Sequence, residues 1–482
     1  MKRLINLILI FTVTILGFSA CETVDFADIN QNPNEPNQPV ASSLLANAEG
    51  ELSGLLTATT PNLYVQYLSN GQYDEESRYQ TLNWNWEDLY ETLTDLQRVI
   101  DLNTNEETRD ATAQGDASNA NQIAVATILR IYYLETMTTR WGALPYTGAL
   151  QGLDNQFPEY DSQEEIYNGL FAELDTALNM IEDGQGPNGD YLFGGNMDRW
   201  ETFGQTLKMV MALRLSVANP TLGAEKFNEA LGNAISSNSE NLFYNFLADE
   251  NNDNPWEDRF LAPSFRRDYL VSDVYVNALV GSESADSPED PRLAEMAEPA
   301  GTAQGKFVGA PYGESNSATD DYSFITEDVI YSQEAPAYIY TYAQVLFSRA
   351  EAAHLGWTDE DAEMLYEMAV KASMMQWNVS EEEADAYVNA NPYTGPQDIG
   401  YEKWVALYLQ GYEAWAEWRR LEAMGYEKEL TAPDELLSNA TAIPDRQAYP
   451  ATAGSVNEEN YNAAVSMQGE DALNTVLWIF GG

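Results

Sequence analysis

Apolar residues recur at spacings of three and four along most of this chain, and that period constrains its fold more than any other feature. Between Ser162 and Asp183 the run Ile166, Leu170, Leu174, Leu178 and Ile181 marks one helix, and Ser162 with Glu165 has the form of a capping box. Asn119–Arg140 is apolar nearly all round (Ile123, Val125, Ile128, Leu129, Ile131, Tyr132, Leu134), the pattern of a deeply buried helix. Trp200, Phe203, Leu207, Val210, Leu213 and Val217 mark another, with Ala224–Ser236 as its partner. Tyr338–Leu355 pairs with Thr358–Trp377, the latter capped by Thr358 with Asp361, and Ser380–Asn389 and Ile399–Met424 close the helical part. Short turns of Gly, Pro and Asn join these helices into pairs. The expected fold is all-α, a tetratricopeptide-like stack of helix hairpins, although no clean ~34-residue consensus recurs.

Two stretches depart from the pattern. Residues 238–336 and 430–470 are rich in Asn, Asp, Gly, Pro and aromatics, and only Val271–Val280 keeps a helical period. Loops of such length inside a compact domain are functional or disordered, and their aromatic content argues for function. No linker separates the helical segments on either side, so residues 41–482 read as one domain.

The N-terminus carries a second constraint. Lys2 and Arg3 precede an apolar run from Leu4 to Phe18, too short to span a bilayer comfortably, and small residues lead to Cys21, the only cysteine. Phe18-Ser19-Ala20-Cys21 has the form of a bacterial lipobox. Residues 1–20 read as a lipoprotein signal peptide, Cys21 as the lipidation site, and residues 21–40, with Pro33, Pro36 and Pro39, as an extended polar tether. Stable membrane attachment takes two or more acyl chains.

Charge and composition exclude further classes. The net charge is −54, from 77 Asp and Glu against 23 Lys and Arg, and it becomes more negative when Lys2 and Arg3 leave with the leader. Such a surface repels nucleic acid and anionic headgroups and disfavours anionic ligands. A lipidated Cys21 leaves no thiol nucleophile and no disulfide. His354 is the single histidine and sits in a helical context, so it reads as structural. G-x-S-x-G, P-loop and H-E-x-x-H motifs are absent. No catalytic residue, metal site or cofactor is predicted. Asp249, Asn251 and Asp253 alternate as a calcium loop might, but the rest of an EF-hand is missing.

Trp and Tyr are abundant, and rings outside the helical periods are the expected ligand contacts. Tyr73, Tyr79, Trp84, Trp256, Phe260 and Tyr312 sit among Asn, Asp, Gly and Arg. Trp256 is the leading candidate, since Asn251–Arg259 combines one stacking ring with hydrogen-bonding groups such as Asn254 and Arg259. Trp84, Tyr73 and Tyr312 follow. In Gly411–Arg420, Glu413 with Glu417 and Trp415 with Arg419 are i,i+4 neighbours, the pattern of a buried Arg–Glu network between helices. Asp290-Pro291-Arg292 reads as a turn with a charge-assisted hydrogen bond.

Several segments resemble one family in order along the chain. They are the tether Phe26-Ala27-Asp28-Ile29-Asn30-Gln31-Asn32-Pro33-Asn34, Arg140-Trp141-Gly142-Ala143-Leu144-Pro145-Tyr146, Glu289-Asp290-Pro291-Arg292-Leu293, Arg349-Ala350-Glu351-Ala352, Gly411-Tyr412-Glu413-Ala414-Trp415-Ala416-Glu417-Trp418-Arg419-Arg420, and Ile443–Pro450, followed by Asn457–Tyr461 and Val476-Leu477-Trp478. Together they resemble SusD/RagB-type nutrient-binding lipoproteins of Bacteroidota outer membranes, although this chain is more acidic than expected of gut members. The resemblance implies about eight helices in tetratricopeptide-like pairs, with irregular loops carrying the ligand site. It also implies a lipid-anchored cell-surface protein of the outer membrane that captures oligosaccharides and passes them to a SusC-like TonB-dependent transporter. A peptide-binding member of the same family and a surface glycoside hydrolase are the alternatives; a hydrolase would need paired carboxylates across a cleft.

Overall fold

The structure, a computed structural model, describes residues 40–80, 85–260, 266–281, 290–316 and 318–482. The leader, Cys21, the tether up to Pro39 and Trp84 lie outside the described residues. The principal helices are α1 (Ala41–Gly50), α2 (Glu87–Thr104), α3 (Asn119–Trp141), α4 (Gln163–Met180), α5 (Met197–Arg214), α6 (Pro220–Ala230), α7 (Pro255–Phe260), α8 (Tyr342–His354), α9 (Ala362–Gln376), α10 (Glu381–Ala390), α11 (Pro396–Ala406) and α12 (Gly411–Met424). They pack in sequential pairs, α3 on α4, α5 on α6 and α8 on α9, with α2 between α1 and α3. The fold is the expected all-α, tetratricopeptide-like stack. Among the described residues six short strands pair two by two: β1 (Leu68–Asn70) with β3 (Tyr269–Val271), β2 (Leu242–Tyr244) with β6 (Ala337–Tyr340), and β4 (Ala297–Glu298) with β5 (Phe324–Ile325).

α3 is buried along nearly its whole length, as its all-round apolar pattern predicts. It stops at Gly142, whose φ of 82° is open to glycine but strained for other residues. The α4 capping box is present: Ser162 accepts from the Glu165 backbone N–H, and the Glu165 carboxylate accepts from that of Ser162.

Helix boundaries differ from the sequence expectation at four places. Tyr338 begins no helix; Ala337–Tyr340 is drawn into the pairing with β2, and α8 starts at Tyr342 under a Thr341 cap. Thr358 does not cap α9; the Asp361 side chain accepts from the Met364 N–H instead. α6 begins earlier than Ala224 because Asn219 caps it and Pro220 occupies its first turn. The span Ile399–Met424 is two helices, α11 and α12, broken at residues 407–410, where Leu409 has a φ of 65°.

Buried ion pairs tie helices of the C-terminal half to one another and to α3 and α5. Arg420 of α12 is bidentate to Glu351 of α8, at 2.5 and 2.7 Å, and reaches Glu417 at 2.9 Å, while Lys403 of α11 meets Glu417 at 2.5 Å. Arg214 of α5 joins Glu135 of α3, at 2.8 Å, to Glu413 of α12. The expected Arg–Glu network therefore exists, with partners drawn from five helices. Arg419 takes another role: its guanidinium lies over Trp415, 3.6 Å from the ring centroid, and donates to the Thr139 and Asp445 carbonyls. Arg292 donates to Asp290 as the turn predicts, and it also reaches Glu402 of α11 at 2.6 Å. His354 ends α8 and hydrogen-bonds Tyr393 at 3.2 Å, the structural role expected of it.

Candidate ligand-binding site

Three irregular pieces of chain converge on one cavity of about 160 Å³. The first wall is the segment from Asn254 to Trp256, held against the turn before β6. Asn254 donates from its backbone N–H to the Gln333 carbonyl (2.9 Å) and from Nδ2 to the Ala335 carbonyl (2.7 Å), and its Oδ1 accepts from the Trp256 N–H. That clamp carries Ala335–Tyr338 along one side of the cavity. The second wall is the end of α9: Gln376, Trp377 and Asn378, the last with a φ of 59°. The third is the break between α11 and α12, which supplies Tyr408, Leu409 and Gln410. Asp328, Pro336 and Asn378 are exposed at the rim, while Asn254, Trp256, Tyr408 and Gln410 are buried at the floor.

The break has a packing cause. A Cβ on Gly411 would sit 2.7 Å from Pro61 Cγ and 2.8 Å from Asn62 Nδ2, so α12 starts in close contact with the Thr59–Tyr64 helix, and only glycine permits that approach. Both Asn378 and Leu409 adopt left-handed backbone, unusual for a bulky Leu, and both line the cavity.

Several polar groups here are unpartnered. Gln376 Oε1, Trp377 Nε1, Tyr408 Oη and both amide atoms of Gln410 are buried without a hydrogen-bond partner among the described residues. A buried polar atom left unpaired costs about 1–3 kcal/mol, and native folds keep such atoms rare. Tyr408 stacks on Tyr275, with ring centroids 4.7 Å apart and 14° between planes, and Trp377 leans on Tyr408 at 6.0 Å. Burial pushes the Tyr408 phenol well above its ordinary value, so it keeps its proton and remains a donor. Behind Leu56, Tyr338 and Gln410 lies a space of about 20 Å³ beside Arg214 and Glu413. Burial raises the Glu413 carboxyl to about 7 against the pull of Arg214.

The structure divides the residues expected to bind ligand. Asn254 and Trp256 line the cavity, and Arg259 lies over the Trp256 ring at 4.8 Å. Trp256 is not a free loop ring: it is 3% exposed and parallel to Phe260 at 5.8 Å, because Pro255–Phe260 coils into α7 and turns both rings into the core. Arg259 is spent on the Thr57 carbonyl at 2.8 Å. Tyr73 does not line the cavity; it is 41% exposed with Arg266 over its ring at 5.0 Å. Nor does Tyr312, whose hydroxyl donates to the Leu63 carbonyl at 2.6 Å. Trp84 falls outside the described residues. Asp249 turns onto Asn251 and Asn252 within its own loop, so the three alternating residues do not converge. Asp253 instead groups with Glu257 and Asp258, their carboxylate oxygens within 4.8 Å of one another, and burial with mutual repulsion raises Glu257 and Asp258.

Sequence reasoning missed Tyr338, Gln376, Trp377, Tyr408 and Gln410: Tyr338, Tyr408 and Gln410 fall inside segments that read as unbroken helix, and Gln376 and Trp377 close a helix whose rings read as packing alone. Gly411, inside the apparent helix Ile399–Met424, is the one signal that could have exposed the break.

Comparison with known proteins agrees with the fold. Residues 33–450 match the model of a SusD-like family described as starch-binding and associating with the outer membrane, and the chain belongs to that family. Its members are binding proteins and not enzymes, and so is this chain. Among solved structures, the chain is similar to a chitin-binding protein (23% identity, TM-score 0.79, 92% of this chain and 100% of that one). It is also similar to a SusD homologue from Bacteroides uniformis (21%, TM-score 0.77, 92% and 100%). A third is a chitin-binding SusD homologue from Flavobacterium johnsoniae (21%, TM-score 0.71, 91% and 98%). No curated protein matches the sequence. No helix among the described residues is long and apolar enough to cross a membrane.

Proposed function

We propose that this protein is a lipid-anchored, cell-surface carbohydrate-binding protein that captures oligosaccharides and passes them to a SusC-like TonB-dependent transporter in the outer membrane. The observation that carries the reading is the polar complement of the residues lining the cavity: five of their donor and acceptor atoms are buried without partners among the described residues, beside the rings of Trp377, Tyr338 and Tyr408. Sugars present that combination, apolar ring faces edged with hydroxyls that both donate and accept. The family's description as starch-binding and the chitin-binding relatives support the same ligand class. Cys21 supplies the membrane attachment, and residues 41–482 act as the single binding domain.

The test is a binding screen of the soluble chain beginning after Cys21 against polysaccharides and, in parallel, peptide libraries. Glycan binding is the expected result; peptide binding with no glycan binding overturns the carbohydrate reading. Detergent-free fractionation of Cys21→Ala checks the anchor, with release from the membrane expected. Co-purification of the lipidated protein with an outer-membrane transporter checks the partner.

A further inference from the structure

We propose that the cavity at the α11–α12 break recognises a single non-anionic sugar unit at a chain end, so that the protein reads glycan termini and not chain interiors. This rests on the carbohydrate reading above and specifies its site.

Size comes first. About 160 Å³ is well under the roughly 300–1,000 Å³ of sites that enclose drug-sized ligands. Past Tyr338 and Gln410 the space holds about 20 Å³, room for about one water, which needs roughly 10–15 Å³, and not for a sugar ring. A sugar entering between the exposed rim residues Asp328 and Asn378 therefore meets a buried floor, and no second unit follows it through.

Hydrogen-bond chemistry comes second. Trp377 Nε1 can only donate, Gln376 Oε1 can only accept, and Tyr408 and Gln410 offer both. Hydroxyls, which donate and accept at once, satisfy such a mixed set. A carboxylate or sulfate accepts only, and would leave the Gln376 and Gln410 oxygens facing a like charge.

Charge comes third. Glu295 and Asp328 line the cavity, and no Lys or Arg does so among the described residues. An anionic sugar would approach two carboxylates without a counter-charge.

The experiment is calorimetric titration of the soluble chain with glucose-, cello-, malto- and N-acetylglucosamine-series oligosaccharides, from monosaccharide to hexasaccharide, and with glucuronic acid. In the series that binds, affinity is expected to level off by the disaccharide, changing less than about threefold with further units. Glucuronic acid is expected not to compete. Gln376→Leu, at a half-buried position, is expected to weaken binding about tenfold or more at unchanged melting temperature. Trp377→Phe, which keeps a ring and removes the donor, is expected to weaken it severalfold. Affinity that keeps climbing about tenfold per unit beyond the disaccharide overturns chain-end recognition. So does glucuronic acid binding as tightly as glucose, or Gln376→Leu binding like the wild type, which would mean that these polar atoms face water only. In each of those outcomes glycan binding itself stands. Absence of binding to every sugar overturns the carbohydrate reading, and this inference falls with it.

Discussion

The two ends of α12 solve opposite problems. Toward its C-terminus, Arg420 and Glu417 are fully buried, and their charges are matched by Glu351 and Lys403 from neighbouring helices. At its N-terminus, the Gln410 amide is equally buried and matched by nothing in the chain. The first arrangement is closed: every charge is answered from within, and what it yields is fixed helix register. The second is open: its hydrogen-bonding capacity is held in place by a strained Leu409 and a tightly packed Gly411, and under the proposed function a ligand completes it.

The largest effect belongs to the closed end. Replacing Arg420 by Met removes the partner of two buried carboxylates, and breaking a buried pair from one side costs about 3–5 kcal/mol. Urea unfolding should show a loss of that size, with binding affinity retained in whatever fraction stays folded. A loss under about 1 kcal/mol would erase the contrast between the two ends. Trp256→Ala should cost a similar amount, about 3–5 kcal/mol, because this ring is core as well as cavity floor. Thermal melting checks it; an unchanged melting temperature would show a ring that supports no packing.

Glu413 stands between the two ends, and pH separates its contributions. Its unfolded carboxyl titrates near 4.5, while burial raises the folded one to about 7 despite Arg214. Folding therefore takes up a proton between those values. The stability linked to this group is fully present below about pH 4.5 and is lost as pH rises through 7, by roughly 3–4 kcal/mol at ~1.36 kcal/mol per unit. Glu417, at the closed end, is held far below its ordinary value: burial opposes ionisation, but Arg420 and Lys403 outweigh it. In unfolding titrations, the stability of wild type relative to Glu413→Gln should shrink from pH 5 to pH 8. A constant difference across that range would mean that Glu413 is ionised throughout, and part of the closed network.

The closed end was legible in the sequence and the open end was not, for a physical reason. Glu413, Glu417 and Arg420 announce themselves by helical spacing and charge, and helical period placed α3 and α4 nearly to the residue. The cavity depends on where helices stop. Tyr408-Leu409-Gln410 breaks its helical run through a tertiary contact, the approach of α12 to Pro61 and Asn62, and no local residue preference encodes it. Composition did point to Asn254 and Trp256, which line the cavity, because a polar loop with one large ring is unusual. It could not show that Pro255 would open a helical turn that buries the ring.

The smallest expected effect is also the sharpest test of the comparison. Gln410 buries two amide atoms that pair with nothing in the chain, and its side chain makes no cap for α12. Replacing it with Leu removes both unpaired atoms and keeps the volume close, so no hydrogen bond is lost and a desolvation penalty disappears. Substitution of unsatisfied polar groups by apolar ones of similar shape is neutral to stabilising, here by up to about 1–2 kcal/mol. Sugar binding should meanwhile fall, since the floor of the cavity loses a donor and an acceptor together. Opposite signs for stability and affinity are what a site predicts, because natural sequences carry such local costs where function requires them. Chemical denaturation and calorimetry on the same Gln410→Leu preparation decide the matter. If that variant is destabilised by more than about 1 kcal/mol, the amide is satisfied in solution by ordered water acting as structure, and the N-terminal end of α12 is as closed as its C-terminal end.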